Sequence, residues 1–422
     1  MKAPARDSAP LELLIATTTF TAPALARGGM QLAVRAQVER LAARHHVTVV
    51  APYRLFPPLG RYATKRREVP PDAAEEHEAI AGGSELRIVR PRQPHVPGLW
   101  RILDPHFMTR GILAAVRSGR HPDLLHGHWL HPQGTAAAAA ARALGRPVVL
   151  TAHGTDVARF DWPGGAYYRR HSLAAAQAAA RVICVSGAMR DRLAALGVAA
   201  ERLVVIPNGV DLASFRPRAR AAARAELASV LGPAIAAGER GPLLVFAGEL
   251  LPVKQVDRLL RAVKELAAGG AAPLRVALAL AGGGPEEERL RALARELELG
   301  DAVVFAGQRP HGEMPVWLAA ADLLALPSAS EGLPLVVPEA LAAGTPVVAS
   351  RVGGIPECVA DQVTGVLVPA QGDTELAAGL RAALTRGWDR AALAAAAHPF
   401  GWDAQVARIE AVYREVLAAT RA

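Results

Sequence analysis

A chain of 422 residues is too long for one hydrophobic core and points to two or three domains. With 51% hydrophobic and 21% charged residues it reads as globular, and without a run of about 18 apolar residues no membrane span is expected. The net charge of +9 asks for an anionic partner, yet aromatic residues make up only 5% and no nucleic-acid motif appears, so nucleic acid is set aside. Cys184 and Cys358 lie far apart in apolar, strand-like contexts and read as reduced core residues. Leu11 to Phe20 is short, carries Glu12 and lacks a cleavage pattern, so no signal peptide is expected and the expected location is cytoplasmic.

Strand and helix signals alternate along the chain, the pattern of parallel α/β sheets covered on both faces. Leu11 to Thr18 is the first expected strand, followed by Arg27-Gly28-Gly29, a helix near Met30 to Arg44 and a strand at Val47 to Ala51. Gly28 and Gly29 permit close backbone approach before a helix N-terminus, which suits a phosphate or hydroxyl, although a Gly-Gly pair also fits a plain turn. The basic cluster Arg61, Lys65, Arg66 and Arg67 falls in a Pro-rich stretch. With the mixed segment His95 to Leu103, including Leu99, Trp100 and Ile102, it suits peripheral contact with an anionic membrane as well as an ordinary surface loop.

A strand with the turn Asp123 to Gly134 carries His126, His128 and His131. Three histidines invite a zinc reading, but no further ligand stands at suitable spacing, so no metal is expected. The strand Val148 to Ala152 ends in His153-Gly154-Thr155-Asp156. Functional groups in open α/β sheets gather at the carboxyl ends of strands, which gives His153 a site address. Arg181 to Ser186 is a further strand, Gly187 to Leu196 a helix, and Ile206-Pro207-Asn208-Gly209-Val210-Asp211 a boundary, with a polar, Ala/Arg-rich stretch running to Gly241.

The pattern restarts at Leu243 to Gly248, followed by Glu249-Leu250-Leu251-Pro252-Val253-Lys254-Gln255. Ala281-Gly282-Gly283-Gly284 lacks the Lys-Ser/Thr of a Walker loop. Val303 to Gly307 leads into Gln308-Arg309. Asp322 to Leu326 then reads as a buried strand ended by Pro327-Ser328. A short helix should begin close to Leu335 and stop at Gly344, leaving the amides of Gly332 to Val337 free to form an anion site. Glu331 and Glu339 bracket that site about two helical turns apart; carboxylates there suit sugar and ribose hydroxyls, or simply stabilise the helix dipole.

This Glu331–Glu339 spacing resembles the Glu-(seven residues)-Glu motif of retaining GT-B glycosyltransferases of family 4, group 1. Val204-Val205-Ile206-Pro207-Asn208-Gly209-Val210-Asp211, Glu249 to Gln255, Gly307 to Pro310, Val352-Gly353-Gly354 and Gly365 to Pro369 resemble its other segments in order, over nearly the whole chain. The resemblance implies an α/β GT-B fold with two facing Rossmann-like domains and an interdomain cleft. The expected boundaries are 1–212 plus a returning helix at 402–422 for the acceptor side, and 213–401 for the nucleotide-sugar side.

It further implies transfer of a sugar, with retention and without a metal or cofactor, from a nucleoside diphosphate sugar (UDP or GDP, UDP preferred) to a saccharide or lipid-linked acceptor, as in cell-surface polysaccharide or glycolipid synthesis. By resemblance His153, Glu331 and Lys254 are the catalytic candidates. Gly28, Gly29, Glu249, Arg309, Gly332, Leu333, Pro334, Leu335 and Glu339 are on the donor side, and His128 and Asp156 on the acceptor side. Glu249 stands where the family carries an arginine and Gln255 where it carries a glycine. A carboxylate repels a diphosphate, so another arginine substitutes, or the loop is shifted, or donor affinity falls. An epimerase or phosphorylase of the same fold, and an inactive scaffold subunit, are the alternatives.

Overall fold

The computed structural model describes residues 9–18, 20, 29–55, 75–80, 84–94, 96, 99–268 and 273–421. Gly28, the basic cluster Arg61, Lys65, Arg66 and Arg67, and His95 lie outside them. The chain forms two units: Met1–Pro207 with Gln405–Ala422, and Asn208–Ala404. The expected boundaries at 212/213 and 401/402 therefore shift. Val210 donates to and accepts from the backbone of Phe400 and Trp402, which draws Asn208 to Asp211 into the second unit.

The strands of the first unit are β1 (Glu12–Ala16), β2 (His46–Val50), β3 (Tyr53–Leu55), β4 (Glu75–Ala79), β5 (Glu85–Val89), β6 (Arg92–Pro94), β7 (Leu124–His128), β8 (Val148–Ala152), β9 (Arg181–Cys184) and β10 (Leu203–Val205). Eight of them build one sheet in the order β10-β9-β8-β7-β1-β2-β5-β4, while β3 and β6 pair separately. All its pairings are parallel except that of β4 with β5. β7 and β8 are buried at every position, as expected for parallel strands covered on both faces. The edge strand β4 is charged instead: Glu75 and Glu76 pair with Arg87 and Arg90, and such a charged edge discourages further strand pairing.

The second unit adds β11 (Leu243–Ala247), β12 (Ala277–Ala281), β13 (Val303–Gly307), β14 (Leu323–Leu326), β15 (Val347–Ser350) and β16 (Gly365–Val368). Its parallel sheet runs β13-β12-β11-β14-β15-β16, the doubly wound order in which the chain leaves β11 first to one side and then to the other. In the first unit the same reversal falls between β1 and β7. These two units are Rossmann-like in strand order.

The Ala/Arg-rich stretch after the boundary contains helices at Arg220–Glu226, Ala228–Leu231 and Pro233–Ala236 in the second unit. Alanine and arginine are among the strongest helix formers, which accounts for helices there. The last helix, Trp402–Arg421, returns to the first unit. There Glu410 meets Arg44 and His45, and the Tyr413 hydroxyl lies 2.6 Å from His126 Nδ1. No helix among the described residues is long and apolar enough to cross a membrane.

Candidate active site

In an open parallel sheet the loops leaving the two strands at the order reversal diverge and open a crevice at their carboxyl ends. In the second unit those strands are β11 and β14. Lys254 closes the turn Pro252–Lys254 after β11, and Ser328 and Glu331 follow β14. Lys254 Nζ lies 2.6 Å from Glu331 Oε1, which also accepts from Ser328 Oγ at 2.7 Å. The Ala329 amide donates to the Val253 carbonyl, so the two loops are joined through backbone as well. Ser328 is fully buried; its place just past a strand-ending proline was its only sequence signal.

Gln255 holds a left-handed conformation, φ 49°, at the position where glycine was expected. A side chain there carries roughly 1–2 kcal/mol of backbone strain. Gln255 Oε1 accepts from the Arg258 guanidinium at 2.9 Å, an interaction glycine cannot make. Arg258 is 5% exposed and also donates to the carbonyls of Pro327, Pro369, Ala370 and Gly372. One buried cation thus binds together the chain after β11, β14 and β16. Sequence reading missed it, although Arg258 shares the buried face of the helix Val256–Ala268 with Ala262.

Behind Glu331, Gly353 has φ 53° and packs so closely that a Cβ would stand 1.9 Å from the Glu331 carbonyl oxygen. The Gly354 amide donates to the Gly332 carbonyl at 2.7 Å. The Val352-Gly353-Gly354 segment is therefore a backstop for the Glu331 turn. The helix after it spans only Val336–Ala342. The expected free amides are fewer than foreseen, because the Val337 N–H already donates to the Pro334 carbonyl. Leu333 is a buried core side chain, while Gly332, Pro334 and Leu335 are half-buried in the turn.

Glu339 is 5% exposed, and its Oε1 lies 2.8 Å from His311 Nε2 on the turn after β13. Burial acts to lower the His311 pKa, but the Glu339 hydrogen bond and charge, with Asp211, outweigh it and hold the pKa above the ordinary histidine value. Arg309 turns back to donate to the Ala306 carbonyl at 2.9 and 2.7 Å and approaches Glu313 at 3.7 Å. Glu249 is exposed just beyond β11, with no side-chain partner among the described residues. Among the described residues no arginine side chain bonds Lys254 or Glu331.

In the first unit the reversal lies at β1 and β7, and β8 stands next to β7. Three rings from the ends of β7 and β8 stack: His126 on His128 at 4.5 Å and His128 on His153 at 5.1 Å between centroids. His126 bonds Tyr413 and Thr151 through its two nitrogens, and His128 Nδ1 lies 2.9 Å from His153 Nε2. Among the described residues His128 Nε2 and His153 Nδ1 are buried without a partner. His131, the third histidine of the motif, lies apart among Tyr167, Tyr168 and His171. Among the described residues no group of three His, Cys, Asp or Glu side chains is placed to hold a metal ion.

Asp156, expected on the acceptor side, is bonded to local backbone. Its carboxylate is 4% exposed and accepts from the backbone N–H groups of Leu130, His153, Gly154 and Val157. It holds the loops that carry His128 and His153. Burial, the largest influence, raises its pKa against the pull of the surrounding amides. Gly29 opens the helix Gly29–Ala42 at an exposed position.

Burial pushes His126 and His153 down to about 3, with the neighbouring His153 charge adding to the effect on His126; His128 is lowered in the same way. The folded chain therefore keeps these rings neutral at pH values where the unfolded chain protonates them near 6.5. Stability should be full above that value and fall as pH drops toward the folded values. At about pH 4.5 the linked loss for His126 and His153 is on the order of 5 kcal/mol. Urea unfolding at neutral pH and at about pH 4.5 checks this, and equal stability at both would contradict it.

Comparison with known proteins bears on the whole chain. The family model for glycosyl transferases group 1 matches residues 233–398, and that for Glycosyltransferase Family 4 matches residues 27–214. The D-inositol 3-phosphate glycosyltransferase of Acidothermus cellulolyticus is 34% identical over 388 residues, covering 84% of this chain and 81% of the relative. Among solved structures, sucrose-phosphate synthase from Thermosynechococcus elongatus superposes with a TM-score of 0.74 at 24% identity, covering 96% of this chain and 99% of that one. Anabaena Alr3699/HepE in complex with UDP gives 0.70 at 21% identity, covering 96% and 100%.

Proposed function

The chain belongs to glycosyltransferase family 4, group 1, and from that premise we propose that it moves a sugar from a uridine diphosphate donor to a hydroxyl acceptor with retention of configuration and without a metal ion. The observation that carries the donor assignment is the Lys254–Glu331 pair at the order reversal of the second sheet. A diphosphate arriving there meets a fixed cation. Lys254 exchanges its bond to Glu331 for the phosphate oxygens, and Glu331 is released to accept sugar hydroxyls. Charge building on the departing diphosphate is then stabilised by a group already in place, commonly the largest catalytic contribution. A fixed ammonium can supply the neutralisation that a divalent ion would otherwise provide. Uridine is favoured because the Anabaena protein was solved with UDP.

Retention follows if the acceptor attacks on the face the diphosphate leaves, with the phosphate taking its proton. His153 and His128, neutral and each with an unpartnered ring nitrogen, are suited to hydrogen-bond hydroxyls rather than to neutralise charge. Two acceptor classes are separable. Saccharides, free or lipid-linked, fit the sequence reading; D-inositol 3-phosphate is favoured by the name of the Acidothermus relative. The test is turnover of UDP-, GDP- and ADP-sugars with each acceptor class in EDTA, with the product anomer read by NMR. Transfer from one uridine donor with retention supports the reading. Turnover without acceptor would indicate an epimerase, a phosphate requirement a phosphorylase, and binding without turnover a scaffold.

A lipid-linked acceptor would place the first unit against a bilayer. Leu99, Ile102 and Trp162 are 52, 62 and 56% exposed, and Arg101 and Arg159 both lie over Tyr168 between them, at 5.4 and 5.3 Å. Apolar tips beside arginines suit an anionic surface. Sedimentation with phosphatidylglycerol vesicles is expected at low salt and not with phosphatidylcholine. Loss on Ile102→Ser with Trp162→Ala supports the contact; equal sedimentation of wild type and variant with both lipids would contradict it.

A further inference from the structure

His311 appeared in no sequence expectation, yet it is the side chain bonded to Glu339, the second carboxylate of the donor motif. Glu339 is nearly buried in the first turn of a short helix, and a buried carboxylate is held in one orientation only if a donor fixes it. His311 Nε2 takes Oε1; among the described residues Oε2 has no protein partner. The His311 ring is seated in turn against Phe215, with centroids 5.5 Å apart, and lies in the field of Asp211. Arg309 and Glu313 stand on its own turn and approach each other at 3.7 Å.

We infer that His311 is a positioning residue for donor binding: by holding one oxygen of Glu339 it presents the other to the ribose hydroxyls of the bound nucleotide. This rests on the donor-site assignment above and adds to it the residue that orients the ribose contact. A protonated imidazole makes a charge-assisted bond to the carboxylate, roughly twice as strong as a neutral one. Its pKa is raised, so the strong form persists above the ordinary histidine value and is lost as pH rises through the folded value. Donor affinity should therefore decline with rising pH while the chemical step does not.

The experiment is calorimetric titration of the best-bound of UDP, GDP and ADP, and of its 2′,3′-dideoxy analogue, across pH in wild type, His311→Gln, His311→Ala and Glu339→Gln. Thermal unfolding of each variant confirms folding. His311→Ala is expected to weaken the nucleotide about tenfold, the worth of one such bond, and to raise the donor KM with kcat unchanged. His311→Gln keeps a donor and should recover part of the affinity with a flat pH profile. The dideoxy analogue should be indifferent to His311. Retention of the pH dependence in His311→Gln, or an equal loss for the dideoxy analogue, would overturn the inference. If Glu339→Gln leaves affinity unchanged, the ribose assignment fails. If Glu339→Gln weakens binding and His311→Ala does not, only the role of His311 fails.

Discussion

Lys254→Ala is expected to lower kcat by about 10²–10³-fold, the usual consequence of removing one preorganised group from developing charge. The ammonium contacts the ground-state diphosphate too, so donor KM should rise, but the larger effect belongs to the chemical step. Folding should survive, because Glu331 keeps its bond from Ser328 when the lysine is gone. Steady-state rates with the preferred donor check this, alongside a urea titration. A kcat within threefold of wild type would remove Lys254 from the mechanism. Glu331→Gln in the Lys254→Ala background should cost less than either loss alone predicts, since the two side chains act on one another at 2.6 Å.

The second large effect is on stability. Arg258→Ala should destabilise the second unit by about 3–5 kcal/mol, because it removes a buried cation and leaves several carbonyls unpartnered at once. The affected carbonyls are Pro327, Pro369, Ala370 and Gly372, and Gln255 would keep a left-handed backbone without its side-chain partner. Arg258→Lys should recover little, since an ammonium cannot span the positions a planar guanidinium reaches. Chemical unfolding reads the loss. A change under 1 kcal/mol would mean that these loops are held by their own backbone bonds.

The sheets were legible because parallel strands buried on both faces are nearly continuous apolar runs, as in Leu243 to Ala247 and Leu323 to Leu326. Glu331, Glu339 and Lys254 stood out through the motifs they resemble; Glu331 and Lys254 lie in the turns after two strands and Glu339 in the first turn of a short helix. What stayed hidden depends on contacts between distant segments. Arg258 reads as a solvated helix arginine until residues 327, 370 and 372 are brought around it. His311 gains meaning only from Glu339. Asp156, expected on the acceptor side by resemblance, accepts from four local amides that the sequence does not reveal. Gln255 stands where a glycine was expected and holds the left-handed conformation that glycine favours.

The most direct test of the central claim is hydrogen exchange of the full chain with and without UDP in the absence of metal. Binding at the order reversal of the second sheet should slow exchange in the loop from Glu249 to Gln255 and in the turn from Ser328 to Val337, and Lys254→Ala should abolish both effects at the same UDP concentration. Protection confined to the first unit, or none at UDP concentrations that inhibit turnover of the UDP-sugar, would contradict the placement of the donor diphosphate on Lys254.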